Sequence, residues 1–499
     1  MSQAPESQSD RTCPGPTVGV VRQTVEFLVV LCLCILVFRT FGAEAYIVPT
    51  GSMAPTLLGN HKELTCPNCG FRFALGHDDE DRAGRAACPN CGQTELEGAP
   101  AVACSGDRVL VQKFLYDFRR PKRWEVAVFH FPNDPSQAYV KRVVGLPNES
   151  IQVLGGDVYV DGRIARKTLK EQRAMRVLVY DHHFVPKDSE GFPRWRFRRT
   201  PADPARKSGW RADGTRFVHE SPSEAKAGFD WLEYCHWDPD RGKYWPVYDY
   251  NSYNGADLRG ENRVDDLMLE ARLQVDDWTE GGQVAIRLRS GSDLFVVRIS
   301  AASPPLCAVQ VERNGRPLSV RGAAERRAIT PADAVLPVIY CRRDDVTCGL
   351  LEASVMDHRL TVAVDGVPLF EPVDYELPTP GPGPGEHPVS VGFQGLSGSV
   401  SDLRIFRDVY YTSVLAHTPR RAFGVEAPYQ LGPDEFFVLG DNSAVSNDSR
   451  FWAGSPVVPG ALLLGKPFLV HLPGQVVPLQ VFGGSVYWVP DPREIRYIR

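Results

Sequence analysis

This chain of 499 residues has no surplus of positive charge: 56 lysines and arginines face 61 aspartates and glutamates, a formal net charge of −5. It also lacks a basic stripe with interleaved aromatics, so no nucleic-acid partner is expected. Long hydrophobic runs are scarce. The most pronounced, Phe27 to Phe38, is bracketed by Glu26 and Arg39 and by itself falls short of the ~20 residues that a bilayer core requires. Helix-favouring stretches are few. Instead, 44 glycines and 41 prolines punctuate short β-branched runs, which points to a mainly β protein. The length exceeds one ordinary domain, and about two to four are expected.

Two stretches carry chemistry. Ser52 lies in Val48-Pro49-Thr50-Gly51-Ser52-Met53-Ala54-Pro55-Thr56-Leu57, just beyond the apolar run, and Lys141 in Tyr139-Val140-Lys141-Arg142-Val143-Val144-Gly145-Leu146-Pro147. A serine hydroxyl is a weak nucleophile until a base takes its proton, and lysine is one known partner for it. Such a lysine must be neutral at working pH, which burial among apolar groups can achieve from an ordinary pKa of ~10.4. Val140, Val143 and Val144 flank Lys141, and Val126–Phe129 lies just upstream.

Read together with Gly106-Asp107-Arg108-Val109-Leu110-Val111 and the block from Gly440-Asp441-Asn442 to Ser446-Asn447-Asp448-Ser449-Arg450, these stretches resemble bacterial type I signal peptidase. All four blocks occur in that family's order, over roughly residues 20–65, 100–165 and 425–472. The resemblance implies that Ser52 and Lys141 are catalytic and that the Ser52 amide and Thr50 hydroxyl hold the oxyanion. It further implies that Ser446 orients the lysine, that Asp448 and Arg450 stiffen the loop, and that Gly440, Asp441 and Asn442 are structural. The activity implied is removal of N-terminal signal peptides after Ala-x-Ala-like sites, without a catalytic cofactor, by a single-pass inner-membrane protein with its N-terminus cytoplasmic. Preproteins would add as a strand between Tyr46–Pro49 and Ala138–Lys141. One departure stands out: after Gly145-Leu146-Pro147 the family has Gly-Asp, where this chain has Asn148-Glu149. Asn tolerates positive φ better than other non-glycine residues, which would preserve the turn.

Twelve cysteines fall into unlike groups. Cys32 and Cys34 are apolar filler in the N-terminal run. Cys66, Cys69, Cys88 and Cys91 form two near-identical Cys-Pro-Asn-Cys-Gly knuckles with zinc-ribbon spacing, suited to a structural zinc; two disulfides are the alternative. Cys341 and Cys348 could pair as a disulfide in an oxidising compartment, which spacing alone does not establish.

The expected organisation is a polar tail over 1–18 and an anchor over 19–42. The catalytic core's first part spans 43–165 with a zinc-ribbon-like insertion at 62–103. An inserted β-sandwich with an irregular lead-in covers 166–418, the second core part 419–475, and a C-terminal extension 476–499. The alternatives to an anchor are a signal peptide cleaved at Ala43-Glu44-Ala45 and a buried helix. Within the insertion the pattern predicts strands at Leu267–Val275, Val284–Leu288, Leu294–Ser300, Ala308–Glu312, Ala353–Val355, Arg359–Val364, Val389–Phe393 and Val400–Phe406, similar to a concanavalin or laminin-G module. Such a module would be a spacer or would bind a glycan or envelope protein. Its ends should meet, which would make it excisable. An anchored binding protein with an inert protease core is the rival to the enzyme reading.

Overall fold

The computed structural model describes residues 17–37, 42–76, 86–94, 96, 101–187, 193–200, 207–221, 228–238, 241–255, 260–301, 307–321, 347–376, 387–414, 422–480 and 486–498. The chain begins with helix α1 (Thr17–Val37). From Val20 to Leu33 its large apolar side chains are exposed, Phe27 at 66%. Arg22 and Glu26, ion-paired at 2.7 Å, dilute its first half. Among the described residues no helix is long and apolar enough to cross a membrane. Residues 38–41 of the expected anchor lie outside those described, as do Cys341 and the side chains of Cys34 and Cys348.

The strands that matter here are β1 (Ala43–Ile47), β2 (Arg108–Gln112), β3 (Val126–Phe131), β4 (Asp134–Gly145), β5 (Leu267–Ser290), β6 (Val389–Arg407), β7 (Glu435–Leu439) and β8 (Leu463–Leu472). A core sheet runs β1–β2–β8–β3–β4–β7, with Val458–Pro459 beyond β7 and Arg496–Tyr497 beside β8. Every pairing in it is antiparallel. Val126-Ala127-Val128-Phe129 and Phe436–Leu439 are buried at every position, as an unbroken apolar run requires when both faces are covered. The C-terminal extension is part of this core: Ile498 is buried with Val109 and Val470.

Residues 150–164 and Tyr429–Gln430 make a second, four-stranded sheet. Asn148 opens its first strand at φ +68°, so the Gly-to-Asn departure keeps the turn. Its amide bonds Gly432 O at 3.0 Å, and Glu149 accepts from Arg123 at 2.5 Å.

Between these sheets the chain makes a large antiparallel structure on two long strands. The second half of β5 pairs with the first half of β6 (Ile286↔Val391), and the first half of β5 with the second half of β6 (Leu269↔Ile405). The two strands thus form one continuous antiparallel ladder within a single large sheet, and a single apolar cluster containing Leu269, Ile286, Val362 and Phe393 packs there. Two expectations need correction. Leu267–Val275 with Val284–Leu288, and Val389–Phe393 with Val400–Phe406, are single strands. The Asp and Gly residues between them, including Gly281 and Gly395 at positive φ, make bulges and bends instead of ending the strand. The lead-in is also regular: helix Leu169–Met175 and strands Val177–Asp181, Trp195–Thr200, Trp210–Asp213, Arg216–His219 and Phe229–Tyr234. Their partners include β6, well over a hundred residues away, so local pattern does not announce them. The ends of the segment do meet, with Lys167 Nζ 2.7 Å from an Asp408 carboxylate oxygen.

Candidate active site

The serine turn is secured at its base before any catalytic group is placed. Asp107, fully buried, exchanges backbone bonds with Val48 and Leu58, each at 2.9 Å. Its carboxylate accepts from the amides of Leu58 (3.0 Å) and Gly474 (2.8 Å) and from Arg496 (3.0 Å). Gly106 is required beside it, since a Cβ there would stand 1.7 Å from Val48 O. Above this base a 3-10 turn, Gly51–Met53, presents Ser52, with Thr50 extended at its start and exposed.

Lys141 reaches Ser52 from the middle of the sheet. Its Nζ and the Ser52 Oγ are 2.5 Å apart. β4 brings it there opposite Ala127 of β3. Lys141 is 4% exposed, and burial pushes its pKa down to about 8; the Asp448 carboxylate opposes this, Arg450 assists it, and Asp441 opposes it. A pKa near 8 leaves an appreciable neutral fraction at working pH, as a base requires. Phe129 and Val438 are buried nearby in one cluster, and Nζ lies 5.8 Å from the Tyr139 ring.

The Gly440 block forms the other wall. Asp448 and Arg450, both with side chains 0% exposed, form a two-armed pair at 2.9 and 2.8 Å. Asp448 also accepts from the Gly440 amide at 3.0 Å, and Arg450 donates to Thr412 O at 2.5 Å and Ser443 Oγ at 2.7 Å. Asp441 takes both arms of Arg142 (2.7 and 2.5 Å) and the Thr56 hydroxyl at 2.5 Å. Asn442 donates from its side chain to Gly51 O (2.9 Å) and from its backbone to Ser52 O (3.1 Å). A Cβ at Gly440 would meet Ser446 Oγ at 2.2 Å and Ser52 O at 2.5 Å, so glycine lets the two loops touch. Ser446 is fully buried, and its Oγ has no hydrogen-bond partner among the described residues. Lys141 bonds Ser52 and not Ser446.

Arg142 escapes sequence reading because a charged residue beside Lys141 looks redundant. Alternation sends neighbours to opposite faces of a strand, and both faces are covered here. Thr56, Thr412 and Ser443 carry no motif of their own.

Cys66, Cys69, Cys88 and Cys91 have sulfurs within 4.8 Å of one another, the pairs Cys66–Cys91 and Cys69–Cys88 at 3.5 and 3.6 Å. Those separations exceed the ~2.05 Å of a disulfide. They suit a tetrahedron of thiolates around zinc, where bonds of ~2.3 Å put sulfurs ~3.8 Å apart. Both knuckles share one fold: Gly70 N bonds Cys66 O and Gly92 N bonds Cys88 O, each glycine at positive φ. The four-cysteine motif docks on the large insertion. Asn90 bonds the backbone of Asp181 and Phe184 at 2.6 and 2.8 Å, and Arg194 bonds Cys91 O at 2.9 Å. A cavity of about 370 Å³ opens where these parts meet, lined by Leu58, Phe73, Arg194, Trp237 and Arg407 among others; neither Ser52 nor Lys141 lines it. The Ser52–Lys141 pair sits on the sheet and not in this cavity.

Comparison with known proteins points to one family for part of the chain. Residues 98–201 match the family model for signal peptidase, peptidase S26. A signal peptidase I of Leptolyngbya laminosa is 31% identical over 148 residues, covering 28% of this chain and 49% of that protein. A signal peptidase I of Rickettsia typhi is 27% identical over 159 residues, 32% of this chain and 49% of that one. A probable signal peptidase I-1 of Synechocystis is 26% identical over 150 residues, covering 29% and 53%. The chain thus spans about half the length of the curated relatives it matches. Among solved structures, the VIP36 exoplasmic/lumenal domain superposes with a TM-score of 0.24 at 13% identity, over 46% of this chain and 87% of that one; so low a score carries no fold assignment. The matched stretch takes in Lys141 and stops short of Ser52 and the Gly440 block, which the fold brings to it, so the lysine-bearing part of this site is similar to the signal peptidases of peptidase family S26.

Proposed function

We propose that this protein is a membrane-anchored serine endopeptidase that removes N-terminal signal peptides from exported preproteins after small-x-small sites. The observation that carries the reading is the 2.5 Å contact between Lys141 Nζ and Ser52 Oγ inside a buried wall. Ser52 Oγ attacks the scissile carbonyl carbon and its proton passes to neutral Lys141. The oxyanion forms beside the Ser52 amide and the Thr50 hydroxyl. Lys141 returns the proton to the leaving amine, and an ester on Ser52 remains. The lysine then takes a proton from water, whose oxygen attacks the ester carbonyl; as the C–O bond to Ser52 breaks, Lys141 hands that proton to Ser52 Oγ and is neutral again. Asp448–Arg450 and Asp441–Arg142 place compensated charge around the lysine.

The substrate strand lies between Tyr46–Pro49 and Ala138–Lys141, the latter within the free stretch Asp134–Lys141. Among the described residues that part of β4 pairs only with β3, while β7 joins at Arg142 and beyond, so a row of backbone groups faces outward. The exposed apolar side chains of α1 support an anchor; a cytoplasmic N-terminus with the catalytic part outside rests on the resemblance to signal peptidases. The division at 166–418 into an inserted concanavalin-like region, and a structural zinc on the four cysteines, belong to the same proposal.

Incubation with a serine-directed acylating inhibitor, read by mass spectrometry, tests the reading. Label on Ser52 together with cleavage of an Ala-x-Ala preprotein is the expected result. An unlabelled chain that cleaves nothing would mean an inert core.

A further inference from the structure

The serine turn is held from behind by a segment that lies two hundred residues further along the chain. Asn251 caps the short turn Ser252–Asn254 by accepting from the Tyr253 amide at 3.1 Å. Its side-chain amide donates to Ala54 O at 3.0 Å. The Tyr253 hydroxyl donates to Asn60 O at 2.7 Å. Asn254 and Asn442 exchange side-chain amide bonds at 2.7 and 2.6 Å, and the same Asn442 bonds Gly51 O and Ser52 O.

Packing repeats the pattern. A Cβ at Gly51 would stand 1.8 Å from the edge of the Tyr253 ring, and one at Gly76, at the end of a strand beside the four cysteines, 2.4 Å. The ring is wedged between the nucleophile turn and that strand, buried with Ala54, Leu58 and Ala74. Asn251 and Tyr253 are each 9% exposed.

Carbonyls of a turn buried without partners are penalised and leave the turn free to shift. Here those of Gly51, Ser52, Ala54 and Asn60 are satisfied by Asn251, Tyr253 and the Asn254–Asn442 pair. We infer that Asn251, Tyr253 and Asn254 are positioning residues for Ser52, so that the large insertion supplies part of the framework of the dyad. The catalytic consequence rests on the Ser52–Lys141 reading; the restraint on the turn does not. A nucleophile displaced by about 1 Å loses roughly a hundredfold in rate, and these three side chains set that distance.

The test uses the full chain in detergent with Asn254→Ala, Tyr253→Ala and Tyr253→Phe, and Asn133→Ala as a surface control. With an Ala-x-Ala peptide, kcat should fall about a hundredfold in the first two, with KM nearly unchanged. Tyr253→Phe, which keeps the ring, should recover most of the loss. The rising limb of the pH profile should stay near its wild-type position, because Lys141 remains buried. Hydrogen exchange is read in parallel: amides of residues 50–58 should exchange at least about tenfold faster in the two alanine variants, with the core sheet unchanged. Wild-type exchange and kcat in both alanine variants would overturn the inference, as would a loss of protection spread evenly over the sheet. If the wild-type chain cleaves no peptide, the dyad reading has failed, and the exchange data still decide whether these residues hold the turn.

Discussion

Lys141 carries a cost that only chemistry justifies. Its folded pKa of about 8 lies below the 10.5 of a free lysine, so the native state binds fewer protons than the unfolded chain between those values. Stability therefore rises with pH across that window, and the penalty of about 3 kcal/mol is fully present below pH 8. Lys141→Met should be more stable than wild type at pH 7 by up to that amount, with the gain fading by pH 10.5; urea unfolding at the two pH values measures it. The same titration governs rate. kcat/KM on an Ala-x-Ala peptide should climb about tenfold per pH unit below 8 and level off above it, because only the neutral amine accepts the Ser52 proton. Ser52→Ala should abolish cleavage with folding retained. Lys141→Arg should be equally inactive, since a guanidinium does not deprotonate in a protein.

At the scale of elements, β4 is tied to the Gly440 loop by one fully buried pair, Arg142–Asp441, bonded twice. Breaking it from one side leaves a charge without its partner. Asp441→Asn should cost about 3–5 kcal/mol and loosen Thr56 with it, whereas Arg142→Met combined with Asp441→Leu should cost much less; chemical unfolding of the three variants checks the order. The four-cysteine knuckles form the other joint. Purified protein should hold about one zinc per chain, and its removal should raise exchange near Asn90 and Phe184 before it reaches Lys141. Metal analysis without zinc, plus mass spectrometry showing two cystines, would assign disulfides instead.

On the scale of the whole molecule, the meeting of Lys167 with Asp408 favours an excisable insertion, but Asn251–Asn254 argues the other way. Replacing residues 166–418 with a Gly/Ser linker removes the back wall of the serine turn and the dock of the four-cysteine motif. Activity should fall by about a hundredfold or more in a chain whose core sheet still gives native circular dichroism. Cleavage within a few-fold of wild type would make the region a spacer.

Short-range spacing was enough to single out the four cysteines, whereas Ser52, Lys141, Gly106-Asp107 and the Gly440 block stood out together through their resemblance to the ordered blocks of signal peptidases. Apolar runs such as Val126–Phe129 and Glu435–Leu439 were legible as strands, since burial on both faces needs no knowledge of the partner. The Arg142–Asp441 pair, 299 residues apart, and the Asn254–Asn442 pair, 188 apart, have no local signature. Arginine and asparagine serve many ends, and what makes these ones matter is burial, which arises only when distant segments close on each other. Strand ends in the insertion were misread for a related reason. A glycine or aspartate between apolar runs specifies a break in regular pairing, and whether that break becomes a turn or a bulge within one long strand depends on the neighbour across the sheet.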